Sequence, residues 1–103
     1  MNISERYREL VRDARTLRQV FNGSDDAQEL KLIGKATAEL TELEEQVGDI
    51  PRIQLESKLT PVLLKAHSLL DRSRLLLQEK GAEDRAAEVW ELEQKVYRLL
   101  NAL

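Results

Sequence analysis

The sequence predicts an all-α fold, a compact bundle of four long helices and one short one, with sequential neighbours antiparallel. Three observations carry this. Apolar residues recur at steps of three and four along nearly the whole chain, which is the period of one helix face. No stretch alternates apolar and polar residues as a half-buried strand does. The breaks between periodic segments are short and carry Gly or Pro beside polar residues. With 103 residues, 42% of them apolar, the chain reads as one domain over 1–103. A chain this size buries about 65% of its unfolded surface.

In the first segment Ile3, Tyr7, Leu10, Val11, Ala14, Leu17 and Phe21 form one stripe. Asn22-Gly23 ends it, because Gly takes the left-handed C′ conformation without a Cβ clash. Ser24, Asp25 and Asp26 are all N-cap residues, and Gln28 stands three after Asp25 as in a capping box. The second stripe is Leu30, Ile33, Thr37, Leu40, Leu43 and Val47, closed by Gly48. Asp49 and Pro51 open a short third helix over about 51–59, with Ile53, Leu55 and Leu59. Thr60-Pro61 repeats the cap-then-Pro signature, so a fourth helix runs from Pro61 to about Glu79. One helix kinked at Pro61 is the alternative. Apolar residues on several faces make this segment the most buried. Lys80-Gly81 stops it, and Asp84 caps a last helix with the stripe Val89, Trp90, Val96, Tyr97, Leu100 and Leu103.

Composition narrows the function. Without Cys there are no disulfides, no thiol catalysis and no thiolate zinc site, which suits a reducing compartment. No apolar run approaches the ~20 residues that span a bilayer, and Met1-Asn2-Ile3-Ser4-Glu5-Arg6 is no signal peptide. One His, four Gly and two Pro leave little material for an active site. The reading is therefore a non-enzymatic protein with no cofactor, no metal and no membrane contact. Charge divides unevenly, at +2 over residues 1–24, −6 over 25–51, +2 over 52–79 and −1 over 80–103. A net charge of −3 and a pI near 5.2 argue against nucleic acid as the main ligand.

Few residues stand out as candidate sites. Arg8, Arg12 and Arg15 share a helix face and form a basic patch for an acidic partner or phosphate. Glu5, Glu9 and Asp13 interleave with them, and a solvated face with intrahelical pairs is the preferred reading. Glu42 and Glu45 lie one turn apart but lack the His of a Glu-x-x-His metal motif, so they read as helix exterior. Trp90 and Tyr97, seven apart, share a face and are predicted to be core. Phe21, beside Asn22-Gly23 at a helix end, is predicted to be only partly covered and free for binding.

The single His lies in Ala66-His67-Ser68-Leu69-Leu70-Asp71, which resembles the Ala-His-x-Leu-Lys-Gly pattern of histidine phosphotransfer bundles. Ala66, His67 and Leu69 match. Leu70 and Asp71 replace the Lys and Gly, and a carboxylate there repels phosphate.

The order of elements resembles the N-terminal domain of transcription elongation factor S-II and the related integrase-binding domain of lens epithelium-derived growth factor. Ala38-Glu39-Leu40-Thr41-Glu42-Leu43 looks like the second-helix Leu pattern, and Trp90-Glu91-Leu92-Glu93-Gln94-Lys95-Val96-Tyr97 is similar to the last helix. The resemblance implies a scaffold in the nucleus that binds short disordered motifs, acidic with embedded aromatics, on transcription and chromatin proteins. It implies that the ligand sits on two turns, here Phe21-Asn22-Gly23 and Lys80-Gly81-Ala82. Asn22 lacks the charge of the family's acid, and the second turn lacks the family's bulky apolar residues.

The resulting expectation is a monomeric or weakly self-associating interaction module. It docks a short motif or helix of a partner protein at Phe21, Asn22, Gly23, Lys80, Gly81 and Ala82. A structural helical oligomer and a degenerate phosphotransfer bundle using His67 are the alternatives.

Overall fold

The computed structural model describes residues 2–103. Its helices are α1 (Ile3–Phe21), α2 (Ala27–Thr41), α3 (Arg52–Glu79) and α4 (Glu83–Ala102), with a 3-10 turn at Val47–Asp49 between α2 and α3. No strand occurs among the described residues. The all-α bundle with antiparallel neighbours is thus as expected.

Packing follows a square cross-section. α1 and α3 each contact α2 and α4, with no contact along either diagonal. Short turns reverse the chain from α1 to α2 and from α3 to α4. Two ion pairs, Glu39 with Lys65 at 2.8 Å and Glu29 with Lys80 at 3.0 Å, set α2 against α3, while Asp13 meets Lys95 at 2.8 Å between α1 and α4. Each sequential pair of helices therefore runs antiparallel, as does the α1–α4 pair. The molecule measures 43 × 22 × 21 Å, and the 28 residues of α3, about 42 Å at 1.5 Å per residue, run its full length.

The stripes of α1 and α2 face the centre much as their spacing dictates. Tyr7, Leu10, Val11, Ala14 and Leu17 are buried on α1; on α2 Glu29, Leu32 and Ala36 are buried beside the expected Ile33, Thr37 and Leu40, and Leu30 is only partly buried. The Tyr7 hydroxyl donates to the Leu40 carbonyl at 2.5 Å. Its pKa is raised by burial and by the negative charges of Glu42, Glu44 and Glu39. Asn2 caps α1, its side-chain oxygen accepting from the Glu5 amide at 2.8 Å. Gly23 (φ 81°) and Gly81 (φ 76°) take left-handed conformations just past α1 and α3, as helix-ending glycines do.

Other expectations are corrected. The segment 51–59 and the segment after Pro61 form one helix, α3. Leu59 and Leu63 are fully buried on either side of Pro61, and this packing outweighs the roughly 3 kcal/mol that an interior Pro costs a helix. Pro61 and Ser57, whose carbonyl loses its partner, are both on the exposed side. α2 ends at Thr41 rather than Gly48. Glu42, Glu44 and Glu45 crowd that end, where the helix dipole disfavours carboxylates. The chain instead turns so that Glu44 binds Arg15 through two contacts of 2.8 and 2.9 Å. The capping box at Asp25 does not form. Asp26 is the N-cap residue, and its side chain makes no cap hydrogen bond. Ser24 organises the turn, donating to the Phe21 carbonyl at 2.7 Å and accepting from the Asp26 amide at 3.2 Å.

The stripe of α4 is rotated from the one expected. Its buried positions are Ala86, Val89, Leu92, Glu93, Val96 and Leu99. Trp90 and Tyr97 are therefore not core; they stand 50% and 52% exposed. Phe21 is corrected in the opposite sense. It is 1% exposed and belongs to the central cluster.

Candidate partner-docking site

The bundle topology brings the two expected turns to the same end of the molecule. Lys80 bridges them, with Nζ 2.5 Å from Asp26 Oδ1 and 3.0 Å from Glu29 Oε2. Arg85 Nε stands 2.6 Å from Asp26 Oδ2, an ion-pair contact outside hydrogen-bond alignment. Asp26 and Glu29 are themselves buried, so this network ties α2 to the α3–α4 turn with paired rather than bare charges. Little is left there for a partner. Phe21 is in the core, Lys80 is engaged by two carboxylates, and Ala82 packs against the core. Asn22, Gly23 and Gly81 are exposed, but they offer only small polar surface.

A larger unsatisfied surface lies along the outer seam of α3 and α4. On α4, Trp90 and Tyr97 precede and follow Glu93 by one turn, on the solvent side of the stripe. On α3, Leu64 and Leu75 flank the row His67, Asp71 and Arg74 that faces Glu93. They are 53% and 45% exposed, and eleven residues bring them to one side of the helix. The contacts of Glu93 with His67 (3.7 Å) and Arg74 (3.3 Å) set the register. In that register Tyr97 lies level with the Leu64 end and Trp90 with the Leu75 end. Four half-exposed side chains of this size present roughly 400 Å² in all, as two pairs about 16 Å apart along α3 with the polar row between them.

Beneath the seam lies a polar cluster that sequence reasoning missed. Glu93 occupies a core position, 2% exposed. Arg74 Nη2 donates to Asp71 Oδ1 at 2.6 Å, and its Nε donates to the same oxygen at 3.1 Å. This contact holds the Asp71 carboxyl below its ordinary value. Burial, and then the neighbouring Asp71 carboxylate, push Glu93 up to about 8. The signal was present in the sequence: Glu93 stands four after Val89 and three before Val96, in the apolar period. His67 faces the Asp71 carboxylate, an environment unfavourable to a phosphoryl group.

Sequence reasoning also failed to single out Leu64, Leu75, Trp90 and Tyr97 as surface. The cue was the count of apolar positions. α4 has more of them than one stripe can hold, and Leu92 and Leu99 complete a regular stripe without either aromatic. Among the described residues no group of three His, Asp or Glu is placed to hold a metal ion, and no helix is long and apolar enough to cross a membrane. No protein-family model, curated protein or solved structure matches the chain.

Proposed function

We propose that this bundle is a non-enzymatic interaction module that docks the apolar stripe of a partner's helix along the α3–α4 seam. The observation that carries the reading is the row of four half-exposed large apolar side chains, Leu64, Leu75, Trp90 and Tyr97. Trp and Tyr are the residue types that dominate binding hot spots. The seven-residue spacing of the two aromatics matches two turns of a helix laid alongside. The exposed area is about half of the roughly 800 Å² that each partner contributes to a standard interface, which favours a single helix over a second copy of the bundle. A setting in transcription or chromatin is supported only by the resemblance to the S-II N-terminal domain.

The chain's single Trp makes the test direct. Proteins from a native extract are captured on the wild-type chain and on a Trp90→Ala/Tyr97→Ala variant. Those lost with the variant are narrowed to a Trp-free peptide, which is titrated against the wild-type chain. The reading expects partners that depend on the two aromatics, and a blue shift of Trp90 emission as the peptide binds. Identical capture by a folded variant would overturn it. Light scattering on the chain alone tests the structural-oligomer alternative. A dimer that the double variant dissociates would make the seam a self-interface.

A further inference from the structure

A second surface lies on the opposite side of the bundle. Because the helices pack in a square, the α1–α2 face is opposite the α3–α4 seam. Between α1 and α2 runs an open groove of about 1140 Å³. Arg15 and Arg18 of α1 and Lys31 and Lys35 of α2 line it, and Glu42 is the one acid in its walls. The chain as a whole is net negative, so this concentration of positive charge is local. Arg15 is neutralised by Glu44. Arg18, Lys31 and Lys35 are exposed, and none of them is in an ion pair among the described residues.

The groove is built to admit a chain. Ala27, Gly34 and Ala38 follow at steps of seven and four and put small residues along one edge of α2. The Arg18 guanidinium crosses α2 at Gly34, where an added Cβ would come 3.5 Å from its Nε. Lys31 and Lys35 stand one turn apart, about 5–6 Å between their Cβ atoms. Cations spaced along a trough suit a row of carboxylates better than one small anion, which needs donors that converge. A long polyanion is disfavoured, because the groove ends at Glu42 and the acidic stretch Glu44-Glu45.

The geometry points to this groove as a docking site for a short acidic segment of a partner protein. Its carboxylates pair with Arg18, Lys31 and Lys35, and its backbone lies over Ala38, beside the Arg18 guanidinium that covers Gly34. The site is independent of the seam, and together the two would let the bundle bridge two partners.

The probe is a fluorescein-labelled peptide of about four helical turns, with Glu at every fourth position among Ala, titrated by anisotropy at low and at physiological salt. Amide shifts of the isotope-labelled chain locate the contact. Binding at low salt that weakens with added salt is expected, with shifts at Arg18, Lys31, Gly34 and Lys35. Lys31→Glu/Lys35→Glu, two exposed positions with no partner to lose, should weaken binding at least about tenfold, or 1.4 kcal/mol, with the circular dichroism spectrum unchanged. Trp90→Ala/Tyr97→Ala should bind as wild type, which separates failure here from failure of the seam. Undiminished binding by the charge-reversed variant, absence of binding at low salt, or shifts elsewhere would each overturn the proposal. Displacement by equimolar pyrophosphate would replace it with a small-anion site. Tighter binding of a single-stranded RNA would replace it with a nucleic-acid site. Salt-sensitive dimerisation through the groove would replace it with a second copy's acidic stretch.

Discussion

Phe21 and Trp90 exchange the roles their local sequences indicate. Phe21 adjoins an Asn-Gly turn, yet it falls on the same face as Ala14 and Leu17 and fills the end of the core at 1% exposure. Phe21→Ala should therefore cost about 3–5 kcal/mol in chemical denaturation, as truncation of a buried Phe does. A loss below about 1 kcal/mol would place it at the surface. Glu93 is the most consequential titratable group. Its folded-state pKa of about 8 lies above the ordinary 4.5, so the folded chain holds an extra proton between those values. That contribution to stability is complete below the lower value and is lost as pH rises through the upper one. Asp71, Arg74 and His67 face Glu93, and a His67→Asn background removes the imidazole from the comparison. There, stability should fall with rising pH by an amount on the order of a few kcal/mol. Adding Glu93→Gln should flatten the curve. Coincident profiles would mean that Glu93 is ionised in the fold.

At the scale of elements, α3 is where local preference and packing disagree. Thr60-Pro61 is a helix-start signature, but Leu59, Leu63, Ala66 and Leu70 form one uninterrupted buried row, and breaking the helix would expose part of it. Pro61→Ala restores a backbone donor and removes the ring's clash with the preceding turn. It should raise stability by about 1–2 kcal/mol, less than the full ~3 kcal/mol penalty because Pro also restricts the unfolded chain. Unchanged stability would mean that the helix has already relaxed around the ring. The early end of α2 has a related cause. Arg15 and Arg8 reach from α1 to Glu44, at its carboxylate and its carbonyl respectively, and draw the acidic stretch out of helical register.

At the scale of the molecule, the bundle has two faces of different chemistry back to back. One is an apolar seam with aromatic residues; the other is a cationic groove. Trp90→Ala/Tyr97→Ala removes side chains that are half in water, so it should lower stability by about 1–3 kcal/mol in total, well short of two buried aromatics. A larger loss would make the aromatics structural and weaken the case for the seam as a docking site.

The sequence by itself determined the helical class, the two glycine turns and the inward faces of α1 and α2. Those rest on period and on backbone sterics, which act within a few residues. The tertiary structure decided the continuity of α3, the rotation of α4, the burial of Phe21 and the pairing of Asp26, Glu29 and Glu93. Each of these depends on what stands across the core. The seam and the groove were legible only as ingredients, two aromatics seven apart and a set of Arg and Lys on two helices. Which apolar residues are surplus to a stripe, and which cations lack a carboxylate, is fixed when four helices share one core and one set of neighbours.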